Sequence, residues 1–135
     1  MKWFLIILLL APIAAFPQGE PPLRNKPMTA AEFEAYVTDR IISFATSDNA
    51  AFGVEHYRKN REVVWSRGDG TCLSGKWYPQ NGDICFVYES DPQPKCWRIT
   101  RGKSGLRGAY TTVPNSTVIF ETRKPVPLTC GDLLF

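Results

Sequence analysis

Leu73-Ser74-Gly75-Lys76-Trp77-Tyr78-Pro79-Gln80-Asn81-Gly82-Asp83-Ile84-Cys85-Phe86-Val87-Tyr88 is the stretch that decides the fold. Asn81-Gly82 is the strongest short-range hairpin signal in the chain, because both residues accept the positive φ of a tight two-residue turn. With that turn as the tip, Trp77 lies opposite Phe86, and Tyr78 lies opposite Cys85. Side chains alternate along a strand, so Leu73, Gly75 and Trp77 share a face with Ile84, Phe86 and Tyr88. The other face carries Ser74, Lys76, Cys85 and Val87. One face is apolar and ring-rich, and it must be buried.

The same register reaches the next strand, predicted over Lys95 to Thr100 after a loop at Ser90 to Pro94. Setting Cys85 opposite Cys96 places Ile84 opposite Trp97, and Trp97 and Ile99 join the apolar face. Directly opposed cysteines are near the separation a disulfide needs. This favours Cys85–Cys96 and leaves Cys72 for Cys130, which ties the tail to the sheet. The alternative, Cys72 with Cys85, needs a shifted hairpin. Four cysteines in a small domain with an export signal read as two disulfides. Their spacings lack the close pairs of a thiolate metal site.

Further strands follow the same logic. Arg40 to Ala45, Phe52 to Arg58 and Arg61 to Arg67 lie upstream, the last two joined at Lys59-Asn60. Gly68-Asp69-Gly70 turns the chain into the hairpin, and Leu106 to Thr111 and Thr117 to Arg123 flank Pro114-Asn115. The sum is a mainly β fold, an antiparallel meander of about eight strands closing into a small barrel or folding into a sandwich. Pro125 and Pro127 keep the tail out of a central strand. Leu128 and Leu133-Leu134-Phe135 are expected to cover part of the outer sheet.

One short helix precedes the sheet. Thr29 with Glu32 forms a capping box, and Met28 with Phe33 a hydrophobic staple. The spacing predicts a helix from Ala30 to about Thr38, too short to stand alone. It is expected to cover an open mouth of the sheet.

The amino terminus, Met1-Lys2 followed by Trp3 to Ala11 and the small residues Ala14 and Ala15, has the form of a signal peptide cut after Ala15. It is shorter than the roughly 20 residues of a membrane-spanning helix. Residues 16–27 read as a flexible lead-in rich in proline, and 28–135 as a single disulfide-bonded β domain. The expected location is periplasmic or secreted, with no membrane anchor after cleavage. The net charge of +3, with basic and acidic residues interspersed, offers no basic stripe for nucleic acid.

The sequence carries no G-x-S-x-G elbow, H-E-x-x-H pair, C-x-x-C pair or phosphate loop, and no cofactor is expected. His56 is the single histidine, a strand residue at the surface or rim that could contact a ligand. Glu55 and Glu62 approach one hairpin end and read as a solvated face; a small carboxylate-based hydrolase would need them paired. The ligand-contact candidates are His56, Tyr57, Arg58, Trp65, Arg98 and Tyr110, drawn from aromatic and isolated basic strand positions. Arg107 belongs with the latter, and all three arginines are expected to face solvent. The rings are numerous enough to fill a barrel of this size, and a ligand cavity is the alternative. Asn115-Ser116-Thr117 matches a glycosylation acceptor.

Gly75-Lys76-Trp77, Gly82-Asp83-Ile84-Cys85-Phe86-Val87-Tyr88 and Cys96-Trp97 resemble a pattern in small uncharacterised secreted or periplasmic proteins of Gram-negative bacteria. Thr29-Ala30-Ala31-Glu32-Phe33 and Gly53-Val54-Glu55 extend the resemblance, which covers roughly residues 28 to 111. It implies an envelope location and a β-rich fold. Gly75-x-Trp77 is also similar to the G-x-W of lipocalins, where that motif belongs near the first strand. The expected function is a non-enzymatic exported domain binding a small molecule or an envelope component. The alternatives are a protein-interaction or inhibitor domain without a cavity, and the hydrolase.

Overall fold

The computed structural model describes residues 26–113 and 116–131. The expected signal peptide, nearly all of the lead-in, the Pro114-Asn115 turn with its glycosylation acceptor, and Leu133-Leu134-Phe135 lie outside them.

Eight antiparallel strands close into a barrel in strict sequence order, and the last pairs with the first. They are β1 (Arg40–Ala45), β2 (Gly53–Tyr57), β3 (Glu62–Ser66), β4 (Cys72–Gln80), β5 (Asp83–Tyr88), β6 (Asp91–Gly102), β7 (Gly105–Tyr110) and β8 (Val118–Thr122). Closure pairs every strand on both sides and removes exposed sheet edges. The structure therefore decides for a barrel over a sandwich.

The β4–β5 hairpin has the expected register, with Trp77 opposite Phe86 and Tyr78 opposite Cys85. Asn81 and Gly82 both have positive φ, 51° and 78°, as the primed turn requires. Ile84 stands opposite Trp97 and Cys85 opposite Cys96. Both disulfides are those the register favours, Cys85–Cys96 and Cys72–Cys130. One expectation fails: residues 91–94 do not loop out but open β6, where Asp91 pairs with Tyr88 of β5 beyond an irregularity between Phe86 and Tyr88. The two prolines there, Pro92 and Pro94, sit at the start of the strand, where a missing donor is tolerated.

A helix, α1 (Ala30–Val37), caps one end of the barrel. Its capping box forms as expected: Glu32 N–H donates to the Thr29 hydroxyl at 3.2 Å, and Thr29 N–H to the Glu32 carboxylate at 2.8 Å. Pro27, placed by the sequence in the lead-in, bridges Thr100, and Met28 N–H donates to the Ile99 carbonyl at 2.8 Å. Phe33 is wholly buried and meets Trp77 edge-on at 5.0 Å and Tyr57 at 5.7 Å. It plugs the barrel like a stopper, which is how so short a helix is held.

Outside the barrel the tail crosses β1 to β4. Ser43, Val54 and Ser66 form a register row on the outer face, and all three are buried. Val126 is buried as well, and its N–H donates to the Ser43 hydroxyl at 2.8 Å. Val126 is the buried residue of the tail on this face, and Leu128 is half-buried. Cys130 then fastens the tail to Cys72 at the start of β4.

Candidate functional site

The interior is not filled. A cavity of about 520 Å³ occupies the half of the barrel away from α1, within the roughly 300–1,000 Å³ of small-molecule pockets. Packed rings and a cavity, the two alternatives above, occur together in one barrel. The rings gather at the helix end, where Phe33, Tyr57, Trp77 and Phe86 pack edge to face. Their mutual packing leaves the other half open.

Phe33, Tyr57 and Phe86 form the floor of the cavity. Its walls are Phe44, Trp65, Tyr88, Trp97, Ile99, Leu106 and Ile119. Its mouth is set by Phe52, Arg67, Asp69, Thr71, Leu73, Asp91, Lys95, Tyr110 and Thr117, at the ends of strands and in the loops opposite α1. The walls are thus apolar and aromatic, and charge is confined to the rim, with one exception.

That exception is Glu55. It lies mid-strand in β2 with its side chain inward, opposite Trp65 and two residues from Tyr57. It is only 3 % exposed. Tyr88 Oη, from β5 three strands around the barrel, donates to its carboxylate at 3.1 and 3.3 Å. Burial raises the Glu55 pKa from 4.5 to about 8, and the Tyr88 hydrogen bond opposes the rise without cancelling it. Glu55 is therefore neutral in the folded barrel at pH 7. Burial, and then the proximity of Glu55, lifts the Tyr57 and Tyr88 hydroxyls well above the phenol range. Both remain hydrogen-bond donors.

Gly75 makes the Glu55–Tyr88 pair possible. It faces inward on β4, directly opposite Tyr88, and a Cβ there would stand 2.8 Å from the Tyr88 ring and overlap the Val87 carbonyl. The missing side chain lets the ring lie over β4 and reach across the lumen. On the other side, Gly53 leaves the space that the Trp65 indole occupies.

At the rim, Lys95 pairs with Asp91, whose carboxyl is held below the usual range first by the hydrogen bond from Lys95 and then by the Gln93 N–H. Among the described residues no group of three or more His, Cys, Asp or Glu could hold a metal ion, and no helix is long and apolar enough to cross a membrane.

The six ligand-contact candidates divide evenly. Tyr57, Trp65 and Tyr110 line the cavity. His56, Arg58 and Arg98 project outside. His56 alternates with inward Glu55 and Tyr57; Arg58 Nε donates to its Nδ1 at 3.5 Å, and partial burial, then Arg58, lowers its pKa. Arg58 borders an outer cleft with Glu62, Ser74, Lys76 and Glu89. Arg98 pairs with Asp83, which also accepts from the Thr111 hydroxyl at 2.8 Å. Arg107 also points outward, over the exposed ring of Phe120.

Glu55 is not on a solvated face, and this reading is corrected: it points inward while Glu62 points outward, so the two carboxylates lie on opposite faces of the sheet. Sequence reasoning missed Glu55 and Tyr88 as site residues. The available signal was parity, since Glu55 falls in step with Tyr57 and Tyr88 in step with Phe86, both ring positions of the inner face. Compared with known proteins, the chain matches no family model, no curated protein and no solved structure.

Proposed function

We propose that this protein is an exported small-molecule carrier whose barrel takes an apolar ligand through the mouth opposite α1. The carrying observation is the cavity of about 520 Å³, walled by rings and aliphatic side chains with a single buried carboxyl, Glu55. An apolar lining with one placed polar group is the composition of ligand pockets, in which burial supplies affinity and the polar group orientation. A pocket that opens at one rim and is stoppered at the other by Phe33 suits reversible capture. The signal-like amino terminus and the two disulfides support an exported, oxidising setting.

The test uses N-phenyl-1-naphthylamine, a neutral probe whose fluorescence rises in apolar surroundings. Titration should give saturable, one-to-one enhancement together with quenching of Trp65 and Trp97, which line the cavity. Leu73→Trp, at a residue lining the mouth end of the cavity, should weaken binding at least about five-fold by filling space the probe would occupy. Enhancement that never saturates, or that Leu73→Trp leaves untouched, defeats the carrier reading.

A further inference from the structure

We propose, resting on the carrier reading, that the ligand is an apolar amine bound as its ammonium ion, seated between the Glu55 carboxylate and the rings of Tyr57, Trp65 and Tyr88. A carboxyl set in an apolar wall is costly to retain, and among the described residues it has no cationic partner. The cavity cations, Arg67 and Lys95, stand at the rim, and Lys95 is paired with Asp91. The groups that face Glu55 are the hydroxyl of Tyr88 from β5, the indole of Trp65 from β3 and the phenol of Tyr57 from β2 itself. Its β1 partner, Ile42, is apolar. None of these neutralises a carboxylate.

An ammonium ion does. It supplies the missing charge and donates charge-assisted hydrogen bonds to the carboxylate. The ring faces carry the negative end of the aromatic quadrupole and attract a cation. An anionic head would meet those same ring faces, which repel it, and would keep Glu55 in its neutral form with no charge pairing. A neutral head would gain one hydrogen bond and no charge pairing. The aliphatic remainder of the ligand would fill the space along Phe44, Ile99, Leu106 and Ile119.

The proton balance follows. The free protein holds Glu55 protonated up to about pH 8. An alkylammonium ion pairs with the ionised form, so its binding at pH 6.5 releases one proton from Glu55 to the buffer. Affinity for the ammonium therefore strengthens as pH rises toward 8 and falls again only where the amine itself loses its charge.

The experiment displaces N-phenyl-1-naphthylamine with three ligands of one chain length: decylamine, decanol and decanoate. Decylamine should compete at least about ten-fold more tightly than either of the others at pH 7.5, the scale of one desolvated cation–π contact together with a charge-assisted hydrogen bond. In Glu55→Gln, an isosteric change, decylamine should displace the probe no more tightly than decanol does, each displacement being referred to that variant's own probe affinity. Calorimetry at pH 6.5 in phosphate and in Tris, whose ionisation enthalpies differ, should show about one proton released per decylamine. If decanol or decanoate competes as well as decylamine, or the preference survives in Glu55→Gln, the amine class is wrong while the carrier reading stands. If the probe itself fails to bind the wild-type barrel, both fall together.

Discussion

The hydroxyl of Tyr88 and the carboxylate of Glu55 meet inside the barrel at 3.1 Å, although their strands are separated by two others. The pair spans the lumen, and its reach depends on Gly75 beneath the Tyr88 ring. It is the one polar contact among the ring and aliphatic walls described above, and most of the behaviour expected of this protein turns on it.

The first prediction concerns pH. In the folded chain Glu55 keeps its proton to about pH 8, against 4.5 ordinarily. Between those values the unfolded chain has released a proton that the folded one retains. Rising pH therefore favours unfolding through this group, and the loss is complete only above about pH 8. Glu55→Gln removes the dependence. Urea denaturation at pH 5, 6.5 and 8 should show the wild type falling relative to Glu55→Gln by on the order of 3 kcal/mol across the range. Parallel curves for the two proteins would show that Glu55 ionises normally.

Gly75→Ala and Tyr88→Phe test the support of that pair separately. Tyr88→Phe keeps the ring and removes the donor, leaving Glu55 without its hydrogen bond, at a cost of about 1–3 kcal/mol. Gly75→Ala forces the ring and the Val87 backbone aside, with a similar cost of about 1–3 kcal/mol from overpacking. Both should raise the Glu55 pKa, read as an upward shift in the midpoint of the pH dependence above. A stable Gly75→Ala variant with an unchanged midpoint would mean that β4 yields without moving Tyr88.

Removal of each disulfide should have a graded effect. Cys72–Cys130 closes a loop with a sequence separation of 58, and Cys85–Cys96 one of 11. Loop closure gives roughly 4 kcal/mol for the first and roughly 3 kcal/mol for the second. Paired serine substitutions at Cys72 and Cys130 should therefore be the more damaging. They should also free the tail and expose the row of Ser43, Val54 and Ser66, seen as accelerated amide exchange in β1, β2 and β3. Protection that persists there would show that Val126 holds the tail without the bridge.

The helix end should behave as a stopper. Phe33→Ala is expected to cost about 3–5 kcal/mol, the range for a buried aromatic truncated in a core. Glu121→Gln acts on the latch. Its carboxylate accepts from Tyr36 Oη at 2.8 Å, from Arg40 at 3.0 Å and from the Leu106 N–H at 2.9 Å, and the Tyr36 ring lies beneath both Arg40 and Arg101. The neutral variant should loosen α1 and speed release of N-phenyl-1-naphthylamine in stopped-flow measurements. An off-rate equal to that of wild type would confine ligand traffic to the mouth.

Much of the architecture was legible beforehand because its signals are local. A primed turn at Asn81-Gly82 sets the parity of two strands, and parity sets which cysteines oppose each other. The capping box at Thr29 and Glu32 likewise depends on residues three apart. The start of β6 was misread because Pro92 and Pro94 suggest a loop when seen along the chain. Pairing of Asp91 with Tyr88 across the sheet carries them into the strand.

Order along the chain and alternation across each strand settled the meander, the register of the central hairpin and the pairing of the sulfurs, since these depend on neighbours in sequence or directly opposite. Closure of β8 onto β1, the cavity in one half of the lumen and the burial of Glu55 belong to the folded whole. A cavity is what remains after distant rings have chosen to pack on one another, and a carboxyl becomes buried only when strands far from its own wrap around it. No local pattern records either event.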